Sequence, residues 1–266
     1  MSIGPLILGH RGASALAPEN TLAAFSRAID DGADGIEFDV RLSRDGLPVV
    51  IHDASLKRTG LIDRHVSDLT AAELQEVDVG AWFAQRGEKS KQSFVGEMLP
   101  TLAQVFEFFS PRKKLLYTEM KCEPNEGAAL AAEVVKLTNE FAMVDRVVVE
   151  SFDHSAIAAV KNIDSRIRTA ALFEPKLTRP VSTVRRLKMV DAALAVAADE
   201  IALHHTLAGH RVVEKARQAG LEVVVWTVED PIWIARAHSL GIKALIANDP
   251  RSMLLQRDAS GASRPA

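Results

Sequence analysis

One cysteine in 266 residues, Cys122, excludes an internal disulfide framework. Aromatic residues make up only 5% of the chain, and no apolar run approaches the roughly 18 residues that a membrane-spanning helix needs. Positive charge is not in excess: the net charge of −3 gives none of the basic footprint of a nucleic-acid binder. No basic leader, long apolar run or cleavage signal precedes the first strand-like segment at Leu6, which predicts a cytoplasmic protein. No G-x-G-x-x-G follows that segment and no P-loop occurs, so the nucleotide-binding folds lose their usual fingerprint. What is present is a globular composition, 47% hydrophobic and 25% charged, long enough for a single α/β barrel of about 250 residues.

Within it, Ile36-Glu37-Phe38-Asp39-Val40 reads as a strand. Successive side chains on a strand alternate, so Glu37 and Asp39 share one face and the three apolar residues share the other. Two environments satisfy such an acid pair. One is water at an edge strand; the other is an interior where a proton, a cationic side chain or a metal balances the charge. The neighbours decide between them.

Leu6-Ile7-Leu8-Gly9 predicts a first strand, and Pro18-Glu19-Asn20-Thr21 opens a helix with Leu22, Phe25 and Ile29 on its apolar face. After the acid-bearing strand at 35–40, the link to Pro48-Val49-Val50-Ile51-His52 is too short for a crossover helix. It predicts a hairpin with Asp45-Gly46 at the turn, which returns His52 beside Phe38 and Asp39. From 53 to 97 the strand rhythm is lost, as in an inserted subdomain or binding loop. Thr70-Ala71-Ala72-Glu73 there has the form of a capping box, and Trp82 and Phe83 are expected to pack the insertion onto the body.

Beyond the insertion, apolar strands and amphipathic helices alternate. Strands are expected at 115–120, 146–151, 168–173, 191–197, 222–228 and 244–247, with helices at about 101–110, 125–141, 153–163, 180–189, 208–219, 231–239 and 250–256. With 6–9 and 35–40 this makes eight strands. Eight βα units predict a closed parallel barrel, the (β/α)8 TIM-barrel class of α/β fold, over an open doubly wound sheet. The expected catalytic domain spans 1–257, with a flexible tail at 258–266.

Functional groups of such barrels sit at the carboxyl ends of the strands. Those ends carry His10-Arg11, Glu37 with Asp39, His52-Asp53, and Glu119-Met120-Lys121. Three carboxylates suit a hard divalent cation, magnesium, calcium or manganese. Two histidines beside them can exchange protons near neutral pH, and Arg11 and Lys121 offer positive charge to a phosphate. His65, His154, His204, His205, His210 and His238 lack such company and read as surface or packing residues, and 191–203 reads as core.

These residues carry a resemblance. His10-Arg11-Gly12, Pro18-Glu19-Asn20-Thr21, 32–40, Asp45-Gly46, His52-Asp53, Pro100-Thr101-Leu102, Glu119-Met120-Lys121, Ser151-Phe152-Asp153 and Trp226-Thr227 occur in the order seen in glycerophosphodiester phosphodiesterases, within the PI-phospholipase-C-like superfamily. The resemblance implies a TIM barrel with a small insertion after the hairpin. It also implies one divalent cation, Mg2+ or Ca2+, on Glu37, Asp39 and Glu119, with His10 and His52 as acid and base. Arg11, Lys121 and Trp226 would contact a small-molecule glycerophosphodiester, with no nucleic-acid partner and no integral membrane segment. Hydrolysis through a cyclic phosphate follows, in lipid and glycerol metabolism. Two rivals are a lysophospholipase-D-like or lyase activity on lysophospholipids, and a non-catalytic phosphodiester-binding barrel. Two positions depart from the pattern: Asn248 stands where many relatives have Thr, and Glu150 precedes Ser151 and is expected to face outward. The motifs leave the head group, and a monomer or dimer, open.

Overall fold

A computed structural model of the chain describes residues 4–86, 93–175 and 183–261. Eight parallel strands form its centre: β1 (Leu6–His10), β2 (Gly35–Leu42), β4 (Leu115–Met120), β5 (Val147–Ser151), β6 (Arg168–Phe173), β7 (Glu200–His204), β8 (Glu222–Trp226) and β9 (Ala244–Ala247). The ring closes because β1 pairs in parallel with β9 on one side and with β2 on the other. This is a TIM barrel. The expected hairpin is present: β3 (Pro48–Val50) runs antiparallel to β2, with Val40 opposite Val50 and Gly46 at φ 77° in the turn.

Helices α1 (Leu22–Asp30), α2 (Ala71–Leu74), α3 (Leu102–Phe109), α4 (Gly127–Glu140), α5 (His154–Ile163), α6 (Thr183–Ala195), α7 (His210–Gln218), α8 (Ile232–Leu240) and α9 (Pro250–Ala259), with two short 3-10 helices, Val66–Asp68 and Ala81–Arg86, complete the described elements. Their starts are local chemistry. Thr21, Thr70, Thr101, Asp153 and Asp249 each accept a hydrogen bond from a backbone N–H of the first turn, and the Thr70–Glu73 capping box is complete. No helix among the described residues is long and apolar enough to cross a membrane.

Strand alternation divides the core into two layers. Ile36, Phe38, Val40, Val147 and Val149 face the surrounding helices, whereas Leu8, Tyr117, Val148, Leu172, Ala202, Val224 and Ile246 fill the barrel. The insertion has its own small core, built from Leu56, Val66, Leu74, Val77 and Leu99 on Val49 and Ile51. Trp82 and Phe83 are buried against Phe94, Ala17 and Ala24, so they are packing anchors as expected.

One strand is displaced from its expected place. Residues 191–195 belong to α6, and the strand lies at Glu200–His204. Asp191-Ala192-Ala193-Leu194-Ala195 is apolar but Ala-rich, and alanine favours helix over strand. The true strand begins with Glu200 and ends at His204, polar residues that disguise its apolar middle. The part of the expected helix at 180–182 lies outside the described residues, as do 87–92 of the insertion and 262–266 of the tail.

Candidate active site at the barrel mouth

The first turn after β1 is bent to serve β2. Arg11 adopts φ 53°, and its backbone N–H donates to Glu37 Oε2 at 3.0 Å. Gly12, at φ 81°, lies so close to α1 that a Cβ there would sit 2.6 Å from the Ala24 carbonyl carbon, leaving room only for glycine. Asn20, at φ 60°, clamps Asp39 twice: Nδ2 donates to Asp39 Oδ2 at 2.8 Å and Oδ1 accepts from Asp39 N–H at 3.2 Å.

Glu37, Asp39 and Glu119 are buried and converge, each offering an oxygen within 4.8 Å of the others. Arg11 Nε lies 3.2 Å from Asp39 Oδ2, and Lys121 Nζ lies 3.2 Å from Asp39 Oδ1 and 2.5 Å from Glu119 Oε1. Against the pull of burial, Arg11, Lys121, His52 and the Asn20 amide hold the Asp39 carboxyl well below its usual range. Burial and the negative charges of Asp39 and Glu119 push Glu37 well above it. Burial, only partly offset by Lys121, raises Glu119 to about 7.

Both histidines are anchored through Nδ1. His10 Nδ1 lies 2.6 Å from Asn248 Oδ1, which also accepts from Ser14 Oγ at 3.0 Å, while Asn248 Nδ2 donates to Glu229. Those partners orient the amide with its oxygen toward His10, so the imidazole carries its proton on Nδ1 and keeps an Nε2 lone pair, 3.8 Å from Glu37 Oε2. Burial, reinforced by the neighbouring Arg11 charge, lowers His10 to about 4. His52 Nδ1 lies 2.6 Å from Asp53 Oδ1, and Asp53 is in turn held by Arg58 Nε at 2.6 Å. Burial also lowers His52, with Asp39 opposing.

A cleft with about 440 Å³ of empty volume brings these groups together. It is lined by His10, Arg11, Glu37, His52, Glu119 and Lys121, and Trp226 forms an aromatic wall with Phe152, their rings 5.6 Å apart and edge-to-face. The residues fit a hard divalent cation: the donors are carboxylate oxygens, and the buried Glu37 Oε1 has no hydrogen-bond partner among the described residues.

Glu150 corrects the sequence reading. It is 1% exposed and lines this cleft. Parallel register partners share a face; Glu150 pairs with Glu119, so both point inward. Val147 and Val149, facing the helices, carried the signal. Ser151 is buried as well, but its Oγ donates to Met120 O. The motif reading also passed over Asn248 as the anchor of His10, and Glu19, which binds Arg11 at 2.7 Å and Arg58 at 2.7 Å. His204 is not isolated either: its ring lies 5.3 Å from that of Trp226 and 4.2 Å from that of His205.

An eight-stranded parallel barrel whose mouth gathers three buried acids, two histidines, an arginine and a lysine has the form of a TIM-barrel phosphodiesterase. The chain is a member of the glycerophosphoryl diester phosphodiesterase family, whose sequence profile it matches over residues 10–252. It is 32% identical to a glycerophosphodiester phosphodiesterase of Caldanaerobacter subterraneus, over 94% of this chain and 96% of that one. Among solved structures it resembles a phosphodiesterase of Oleispira antarctica in complex with the product sn-glycerol-3-phosphate, with TM-score 0.83, 25% identity and coverage of 96% and 97% of the two chains. A glycerophosphodiester phosphodiesterase of Agrobacterium tumefaciens superposes with TM-score 0.76 at 27% identity, covering 94% and 99%.

Proposed function

We propose that this enzyme hydrolyses glycerophosphodiesters to glycerol phosphate and an alcohol, using one divalent cation, Mg2+ or Ca2+, held by Glu37, Asp39 and Glu119. The observation that carries the reading is the meeting in one cleft of three clustered acids and two imidazoles, each anchored through Nδ1. The bound cation supplies positive charge against the negative charge that grows on the phosphoryl oxygens.

The remaining work falls to the chain's own side chains. Arg11 and Lys121 orient the phosphate, Arg through paired donors and Lys as a point charge. One imidazole Nε2 takes the proton of the glycerol hydroxyl next to the phosphodiester. That oxygen attacks phosphorus, and the other imidazole protonates the departing alcohol oxygen. The product is a cyclic phosphate. Water then opens it, with the histidines in reversed roles, to give glycerol phosphate. Asn248 and Asp53 keep Nδ1 engaged in both rings, so proton exchange is confined to the Nε2 atoms facing the cleft.

Phosphorus NMR of glycerophosphocholine, glycerophosphoethanolamine and a lysophosphatidylcholine, each with magnesium or calcium, tests the reading. Conversion of the two deacylated diesters to glycerol phosphate is expected. No conversion of any diester with either cation would sink it, and a cyclic phosphate that persists as the end product would assign a lyase instead.

A further inference from the structure

The mechanism leaves one buried acid of the cleft without a task. Glu150 is 1% exposed, and its Oε2 has no hydrogen-bond partner among the described residues. A buried polar atom left unpaired is costly, so a ligand that pairs with it gains affinity. Glu150 is not one of the converging cation donors, which are Glu37, Asp39 and Glu119. Nor does the basic cluster deeper in the barrel reach it: Arg168 and Lys243 bind Glu200, and the Tyr117 hydroxyl donates to Glu200 as well.

The surroundings narrow the ligand chemistry. Leu172, Ile246, Phe152 and Trp226 give apolar walls to the cleft that Glu150 lines. A hydroxyl suits the position in either protonation state, since it donates to a carboxylate and both donates to and accepts from a carboxylic acid.

Resting on the hydrolase reading above, we propose that Glu150 binds the terminal hydroxyl of the substrate's glycerol moiety, the one that takes no part in phosphoryl transfer. Glu150 thereby selects diesters whose glycerol end is free and disfavours lysophospholipids, in which an acyl chain replaces that hydroxyl's proton. The phosphate and the reacting hydroxyl are held by Arg11, Lys121 and the histidines. The terminal hydroxyl is the polar group of the glycerol moiety that remains to be matched, and Glu150 is the buried acceptor left over.

Calorimetric titration with sn-glycerol 3-phosphate and with propane-1,2-diol 1-phosphate, which lacks the terminal hydroxyl, decides the matter on magnesium-loaded protein. Wild type is expected to prefer glycerol phosphate by about 10- to 100-fold. Glu150→Met, close in volume and apolar, should bind both ligands alike, whereas Glu150→Gln, which still pairs with a hydroxyl, should keep most of the preference. Melting temperatures of both variants verify that they fold. Absence of a preference in wild type, equal weakening of both ligands in Glu150→Met, or a loss of magnesium affinity in either variant would overturn the proposal. If no glycerophosphodiester is hydrolysed, the functional reading falls, but these ligand affinities still judge Glu150 by themselves.

Discussion

The two ends of this barrel use the same ingredients to opposite effect. At the floor, Glu200 is fully buried and both of its oxygens are taken: Oε1 by Arg168 at 2.8 Å and Lys243 at 2.7 Å, Oε2 by the Tyr117 hydroxyl at 2.8 Å. Glu222 shares the same two cations. Nearby, the fully buried Arg257 of α9 binds Asp34 at 2.6 Å and the Pro5 carbonyl at 3.2 Å, fastening the last helix across the start of β1. At the mouth, four buried acids share Arg11 and Lys121, and Glu37 Oε1 and Glu150 Oε2 have no donor among the described residues. At the floor the acid oxygens of Glu200 are all engaged, which holds strands together; at the mouth acid oxygens are left over, which is what a cation or a substrate could use.

That contrast predicts opposite responses to substitution. At the mouth, His10→Ala should lower turnover by about 10²- to 10⁴-fold, the usual worth of a positioned acid or base, with the melting temperature within a few degrees of wild type. Phosphorus NMR and calorimetry on one sample measure both, and near-normal turnover would mean that the acid–base pair is misplaced. At the floor, Glu200→Ala leaves the buried Tyr117 hydroxyl without its acceptor and Arg168 and Lys243 with Glu222 alone, and should cost about 1–3 kcal/mol of stability while the folded fraction keeps its kcat. Denaturant unfolding measures the loss, and an unchanged midpoint would erase the distinction between the two ends.

Smaller changes sharpen the picture. Asn248→Ala should leave the cation site intact but release His10 from its anchor, lowering kcat by about 10- to 100-fold with little change in KM. A rise in KM alone would make Asn248 a substrate-binding group. The least effect concerns pH. Because Glu119 titrates at about 7 in the metal-free fold and at 4.5 when unperturbed, the folded state holds an extra proton between those values. Its contribution to stability is full below the unfolded value and is lost as pH rises through about 7. His10, lowered to about 4, acts oppositely and loses its contribution as pH falls below the unfolded value. A bound cation displaces the protons of Glu119 and Glu37, so the gain in melting temperature on adding magnesium should grow as pH rises toward and through about 7. A gain independent of pH would contradict this.

The sequence showed the mouth far better than the floor, for a physical reason. Mouth residues lie in short motifs after strands, where alternation places Glu37 with Asp39 and the tight Asp45-Gly46 turn delivers His52. The floor network joins Tyr117, Arg168, Glu200, Glu222 and Lys243 from five separate segments, and no local pattern connects them. The same limit hid the bond from Asn248 to His10, which spans 238 positions. Glu150 was within reach: alternation against Val147 and Val149 points it inward, but Ser151 competed for that face. The strand at Glu200–His204 was obscured because the Ala-rich end of α6 is the more hydrophobic run.

The acid cluster at the mouth, with oxygens left unpaired among the described residues, should hold a cation, and Glu200 at the floor, with both oxygens engaged, should not. Calorimetric titration of EDTA-stripped protein with calcium and with magnesium, comparing wild type, Glu119→Gln and Glu200→Gln, measures this directly. One cation per chain should bind to wild type and to Glu200→Gln, and binding should be lost or weakened at least about tenfold in Glu119→Gln. Equal isotherms for wild type and Glu119→Gln would contradict it.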